Sequence, residues 1–518
     1  MSKQKFPPLR LLDFGMLDAG EEARERPGML VAGYYDFRSA AYRVAQGEAW
    51  AIVGSKGAGK TATISHLGLL WDDQPERFLL EWDLGSFPVA DVTQLQIGGS
   101  SGPTNTRAAW EFLILLRVFA SLMKDQGAHH PSSIVGLYKS LVAGGLIDGP
   151  DLRTKFIDWS RSTLKISIMG SGIDSALNQN SVTAVQLNQI LRSALMQMRS
   201  NSQHVLAIDG LDSFFAQTES QLESLGALLD AAYDLNGFFR ESDVRVSVVL
   251  AIRHDMYVQV PSTDSAKLSD RAIELDWSRN GLGDGEELWE LLNTKTKASI
   301  PSSFIGLQLG DIRKAYLSTP IGIGPYSYLP SYLMSHTRYL PRDLIALMNA
   351  IKDLHPGSGQ VSEATARQAV RNYSENYFVR EMANGLSRVL PGASATKVSA
   401  FIDALSALPS KEFSIELLEQ EIDGLISRSD LRVLLKQLFL IGGLGTRPRN
   451  GRSTHTNFYY RRAAGGGFSF HADYVLHNSL VVAWNIPWES PVKVASPSVR
   501  RRRRSRRKTQ ASKDGRSE

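Results

Sequence analysis

The sequence predicts an α/β fold in which a parallel sheet carries helices on both faces. Three features point to it. Short apolar runs at 49–53, 78–82, 204–208, 244–252 and 272–275 alternate with longer stretches of helical periodicity. The runs at 204–208 and 244–252 are nearly continuous in apolar residues, the pattern of strands buried on both sides. A glycine-rich turn joins the first run directly to a helix, the strand–loop–helix order of a crossover unit.

The elements follow in order. An N-terminal segment (1–48) leads to the first strand, the glycine-rich loop and a helix from 60 to about 70. A second strand is expected at 78–82 and a helix at 108–123. Residues 124–200 read as a helical insertion, mixed in composition and periodic only at 184–198. The strand at 204–208 ends at Asp209; a helix (219–240), a strand (244–252) and a last strand (272–275) complete a core spanning 49–283. From 284 to 390 the pattern is helical with Pro and Gly breaks, as in a lid. Region 391–488 has helices at 396–408, 414–418 and 430–441, then short aromatic strands at 458–462 and 468–470, the order of a winged helix. Residues 489–518 are Pro-, Ser- and Arg-rich and are expected to be a disordered tail.

Composition narrows the function. A chain of 518 residues suggests about three domains. Hydrophobic residues at 43% and charged residues at 21% suit a soluble globular protein. With no cysteine, disulfides, thiolate zinc sites and cysteine nucleophiles are excluded. The N-terminal stretch lacks the apolar core of a secretion signal, and no run approaches the ~18 apolar residues of a membrane span, so a cytoplasmic location is expected. The net charge of +5 belongs to the tail: from Lys493 onward there are eleven basic and two acidic residues, which leaves the rest net acidic.

Gly54-Ser55-Lys56-Gly57-Ala58-Gly59-Lys60-Thr61 fits G-x-x-x-x-G-K-[ST], the Walker A phosphate loop. Glycines let backbone N–H groups close around phosphates, and the following helix directs its positive dipole end to the same point. Lys60 is expected at the β- and γ-phosphates and Thr61 at a magnesium ion. Asp209, at the end of another strand, is the second expected Mg²⁺ partner. Asp212 has two readings, base for the attacking water or cap of the next helix. No Asn-Lys-x-Asp string is present to read guanine, so ATP is the expected nucleotide. Tyr34 and Tyr35 either flank the adenine or pack the N-terminal segment.

The order of phosphate loop, Ile208-Asp209-Gly210-Leu211-Asp212 and Ile252-Arg253-His254-Asp255 resembles the AAA+ and STAND branch of P-loop ATPases. It more closely resembles a bacterial group that includes the FunZ-like proteins. Phe14-Gly15, Gly33-Tyr34-Tyr35-Asp36, the 273–277 run ending in Trp277, and Pro341-Arg342-Asp343-Leu344 carry that resemblance over roughly residues 14–480. It implies a γ-phosphate sensor at Arg253, a lid arginine at Arg342, and at Arg271 an arginine finger for a neighbouring subunit, hence an oligomer. Many AAA+ proteins have Asp-Glu where this chain has Asp209-Gly210, which favours a switch over a fast motor. The resemblance also suggests a setting in genome maintenance or antiviral (anti-phage) defence.

In the C-terminal region, the basic turn with Arg447, Arg449 and Arg452, followed by Arg461 and Arg462, reads either as a DNA- or RNA-contacting wing or as a solvated turn. Arg500–Lys508 has eight basic residues in nine and would bind polyanions without reading sequence. His477 has no partner at metal-ligand spacing and reads as structural. Three functions remain open: an ATP-dependent switch acting on a protein effector or nucleic acid, a DNA/RNA-dependent ATPase (loader or remodeller), and a non-hydrolysing, nucleotide-stabilised scaffold.

Overall fold

The computed structural model describes residues 6–84, 103–147, 184–211, 219–260, 269–278, 285–304, 309–387, 389–390, 394–422, 424–449, 456–461 and 467–488. Asp212, Arg452, Arg462 and the tail lie outside the described residues.

Five strands form one parallel sheet in the order β2-β3-β4-β1-β5: β1 (Ala51–Val53), β2 (Arg77–Asp83), β3 (Gln203–Asp209), β4 (Arg245–Ile252) and β5 (Ala272–Glu274). Parallel neighbours need crossovers, and the intervening helices supply them on both faces. On one face the helix Lys60–Trp71 packs beneath the N-terminal segment, burying Ile64, Leu67 and Trp71 with Ile52, Val205 and Ala251. On the other face the helices Pro103–Lys124, Ala184–Gln197 and Glu219–Arg240 cover Val53, Leu206, Ile208 and Leu250. The α/β expectation therefore holds. The sequence boundaries of the helix Glu219–Arg240 match, and those of the helix Lys60–Trp71 fall within one residue.

Ser121 Oγ lies 2.8 Å from His204 Nδ1, and His204 Nε2 lies 3.4 Å from Asp125 Oδ2. The string has the composition of a hydrolase triad. All three side chains are core residues, and none lines the cavity described below, so it serves as a polar clamp at the start of β3.

Beyond the core, helices Glu286–Ala298, Pro341–Leu354, Glu363–Tyr373 and Val379–Leu386 pack with a small hairpin, β6 (Pro320–Ile323) and β7 (Tyr326–Tyr328). A second sheet follows, in the order β10-β9-β11-β8, from β8 (Glu412–Phe413), β9 (Leu444–Pro448), β10 (Asn457–Phe458) and β11 (Ala472–Leu476). Its helices are Ser394–Ser406, Ile415–Ile422 and Arg428–Leu440. The strand expected at 468–470 is corrected to β11. Phe468 and Phe470 resemble a strand by composition, but Phe468 packs on Phe439 and Tyr474 as a plug under the sheet. The ladder falls on Ala472–Leu476, where burial is deepest.

His336 and His477 sit in the core joining the helices after residue 285 to this sheet. His477 Nδ1 accepts from Ser479 N at 3.2 Å and caps the helix Asn478–Ala483, a structural role. Burial, against the hydrogen bond of Nδ1 to Tyr332 O at 2.9 Å and with the help of the Lys411 charge, holds His336 down to about 4. Its Nε2 has no partner among the described residues. A depressed histidine binds its proton more readily in the unfolded chain, so stability falls as pH drops below 6.5 and the loss is complete near 4. That shift corresponds to roughly 3 kcal/mol. Urea unfolding over this interval should show the acid limb, and His336→Phe should flatten it by about that amount.

Candidate nucleotide site

β1 is three fully buried residues, and its C-terminal end delivers the chain into the phosphate loop. Gly57 and Gly59 adopt φ of +85° and +103°, left-handed values that side chains resist. Gly57 has a second reason to lack a side chain: a Cβ there would lie 3.0 Å from Arg342 Cβ. Neighbouring strands hold the loop. Gly54 N donates to Ile252 O at 3.2 Å, Leu275 N to Val53 O at 2.7 Å, and the Trp277 indole to Ala58 O at 2.9 Å.

The helix Lys60–Trp71 begins inside the loop. Lys60 is buried, and its ammonium donates to Gly54 O at 3.1 Å and Ser55 O at 3.3 Å, at the mouth formed by the loop's own N–H groups. Thr61 Oγ1 donates to Asp209 Oδ2 at 2.6 Å, which joins the helix to the end of β3. Asp209 Oδ1 accepts from Gly210 N at 2.7 Å. A hydroxyl and a carboxylate so placed fit Mg²⁺, which takes few protein ligands and the rest from phosphates and water. Among the described residues, no group of three or more His, Asp or Glu suited to a metal occurs.

These groups open into a cavity of about 860 Å³. That is the size range of small-molecule and cofactor pockets. Tyr34, Tyr35, Trp277 and Arg342 line its other walls. Tyr34 stacks on His66 at 3.9 Å and its hydroxyl donates to Thr63 Oγ1 at 2.9 Å; burial raises that phenol well above its ordinary range. Tyr35 OH donates to Glu287. Arg342, from the helix Pro341–Leu354, donates its backbone N–H to Gly57 O at 3.4 Å and Nε to Leu17 O at 2.8 Å. Lys56 reaches Glu381 of the helix Val379–Leu386 at 3.3 Å.

Two predicted arginines stand elsewhere. Arg253 is buried and forms a two-point pair with Asp255, Nε–Oδ1 2.9 Å and Nη2–Oδ2 2.5 Å. It lines a separate cavity of about 40 Å³ behind the loop, with Lys56, Arg338 and Tyr460. Arg271 precedes β5 at the sheet end remote from the loop, with its guanidinium 5.5 Å from the Trp50 ring centre. The sequence reading also missed two residues of the cavity, Glu81 and Asp83 on β2. Their signal was the alternation Leu80-Glu81-Trp82-Asp83, which turns both carboxylates to one face of a strand. Desolvation in the cleft, and then the Asp209 charge, hold the Glu81 carboxyl above its usual range.

The two described arginines of the basic turn are each paired with carboxylates from neighbouring elements. Arg447 pairs with Glu412 at 2.6 Å, and Arg449 with Glu416 at 2.9 Å and Asp473 at 2.8 Å. The hydrogen bonds from Arg449 pull Glu416 down to about 2. Arg461 lies over Tyr339 at 5.2 Å. Among the described residues, no helix is long and apolar enough to cross a membrane.

No family model and no curated protein matches the chain. Among solved structures it is similar to the ORC2 protein of Aeropyrum pernix in its ADPNP–ADP complexes. The identity is 11%, over 86% of this chain and 90% of that one, with a TM-score of 0.38. It is also similar to Cdc6p of Pyrobaculum aerophilum at 10% identity, over 87% and 94%, with a TM-score of 0.29.

Proposed function

We propose that the chain binds ATP with Mg²⁺ and hydrolyses it, as a switch whose nucleotide state sets the posture of the lid and C-terminal region. The observation that carries this reading is the meeting of Lys60, Thr61 and Asp209 at the mouth of the large cavity. Loop N–H groups and Lys60 hold the β- and γ-phosphates; Thr61 and Asp209 hold the metal, which would neutralise phosphate charge. Tyr34, Tyr35 and Arg342 enclose the rest of the nucleotide.

Coupling is supported by three contacts from the loop's surroundings to distant elements. Lys56 meets Glu381, His254 Nδ1 lies 2.6 Å from Tyr459 OH, and Ser278 Oγ bonds Tyr460 O. On this reading Arg253 senses the nucleotide through the loop's rear face, and Asp212 assists the water or caps its helix. The order of motifs supports a place beside AAA+ and STAND ATPases, with β8–β11 and their helices as a winged-helix-like module. Arg447 and Arg449 are paired with partly exposed carboxylates, pairs weak enough to be exchanged for a phosphate or for a protein partner. Genome maintenance or anti-phage defence is the setting the FunZ-like resemblance suggests. Arg271, at the far sheet end, is the candidate finger for a neighbouring copy.

Titration calorimetry and phosphate release test the proposal together. ATP should bind with Mg²⁺ and turn over, EDTA should stop turnover, and turnover per chain should rise with protein concentration if Arg271 acts on a neighbour. Absence of ATP binding at millimolar nucleotide would overturn the proposal. Binding without turnover would leave the nucleotide-stabilised scaffold.

A further inference from the structure

Hydrolysis is helped by a group beyond the metal's carboxylate that orients the attacking water or accepts its proton, and a second carboxylate can do both. β3 does not supply it beside Asp209: the next residue is Gly210, with φ of +76° and no side chain. The neighbouring strand does. β2 runs parallel to β3 with Asp83 opposite Asp209 and Glu81 opposite Ala207. Paired parallel strands lie about 4.8 Å apart. Alternation puts Leu79, Glu81 and Asp83 on one face, and Leu79 packs there with the core that contains the helix Lys60–Trp71. Trp82 faces the other way, toward Trp110. Asp83 therefore ends its strand on the phosphate-loop side of the sheet, one strand over from the proposed metal carboxylate, and it lines the cavity.

Glu81 shares that face but sits two residues deeper, about 7 Å back along the strand. There its Oε1 lies 3.2 Å from where a Cβ on Gly68 would stand, so it is set against the flank of the helix. The strand end, where the loop opens, belongs to Asp83.

We propose that Asp83 is the catalytic carboxylate of ATP hydrolysis, an inference that rests on the ATPase reading above. The oxygen of water bonds to the γ-phosphorus. The bond from that phosphorus to the β,γ-bridging oxygen breaks, and its electron pair leaves on ADP. The water's proton passes to the Asp83 carboxylate and from there to solvent, so that ATP and water yield ADP, inorganic phosphate and a proton. The sequence offers Asp212 for the same task, and the two assignments predict opposite results.

The experiment compares Asp83→Asn, Glu81→Gln and Asp212→Asn in the full chain, measuring ATP affinity, thermal unfolding and single-turnover phosphate release. Asp83→Asn should keep wild-type Mg·ATP affinity and melting while losing about 10²- to 10⁴-fold in turnover. The other two should lose less. Wild-type turnover in Asp83→Asn overturns the assignment and leaves the ATPase reading intact, as does a larger loss in Asp212→Asn or Glu81→Gln. A wild-type chain that neither binds nor cleaves ATP overturns both. If Asp83→Asn fails to fold, Asp83→Ser and Asp83→Glu decide: turnover restored only by the carboxylate supports the role, and equal turnover in both overturns it.

Discussion

Lys60→Ala should abolish ATP binding at micromolar nucleotide while the chain remains folded. The ammonium is buried where the loop N–H groups and the helix terminus converge, and it already donates to two loop carbonyls. With nucleotide bound, those donors turn to the β- and γ-phosphates. Two charge-assisted hydrogen bonds are worth about 1.5–3 kcal/mol each, so their loss corresponds to about 10²- to 10⁴-fold in affinity. The fold should tolerate the change. Alanine is the strongest helix former, and the loop keeps its anchors from Ile252, Val53 and Trp277. Calorimetry on a variant with a wild-type melting curve checks this, and wild-type affinity there would sink the nucleotide reading.

What the sequence made legible were features with local causes. The phosphate loop is a local string in which glycine, lysine and threonine each have one chemical reason to be present. The apolar strands that precede it and end at Asp209 are equally local. Sheet order is not: β1 lies between β4 and β5, its paired residues there are about two hundred positions away in sequence, and no residue of β1 names its neighbour. Asp83 shows the same gap. Alone it is an acidic residue after an apolar run, and only its pairing with Asp209 gives it a place in the site. Arg253 illustrates the converse. Its position after a strand suggested a phosphate sensor; that Asp255 two residues on holds it in a buried pair behind the loop, so that it meets the loop from the rear, was not legible. Residue identity at a motif position does not report where a side chain points when a partner of opposite charge stands within reach.

Asp343→Asn should be among the most destabilising single substitutions in the helices that follow the parallel sheet. Asp343 is fully buried near the start of the helix Pro341–Leu354, on the favourable side of its dipole. Its Oδ1 accepts from Arg338 Nη2 at 2.6 Å and Tyr377 OH at 2.9 Å, and its Oδ2 from Arg338 Nε at 2.8 Å and Arg338 N at 2.9 Å. The amide keeps the shape but leaves the Arg338 guanidinium buried without its counter-charge, a loss of about 3–5 kcal/mol. Burial alone would raise the Asp343 carboxyl; the charge and hydrogen bonds of Arg338 outweigh it and hold the group below its ordinary value of 3.8. A depressed carboxylate contributes stability above the unfolded value that is lost as pH falls through the folded one. Wild type and variant should therefore differ fully at neutral pH and converge below pH 3.8. Replacing both partners with apolar residues, Arg338→Met with Asp343→Leu, should recover much of the loss, because no charge is then left stranded. The same pair bears on the nucleotide. Arg342 lies between its members in sequence and reaches Gly57 O and Leu17 O, while Arg338 Nη1 donates to Ile441 O of the C-terminal region at 3.3 Å. If the pair links loop to C-terminal region, the stable double variant should bind ATP more weakly or lose the effect of ATP on hydrogen exchange around Ile441. Unchanged binding and exchange would reduce the pair to a purely structural lock.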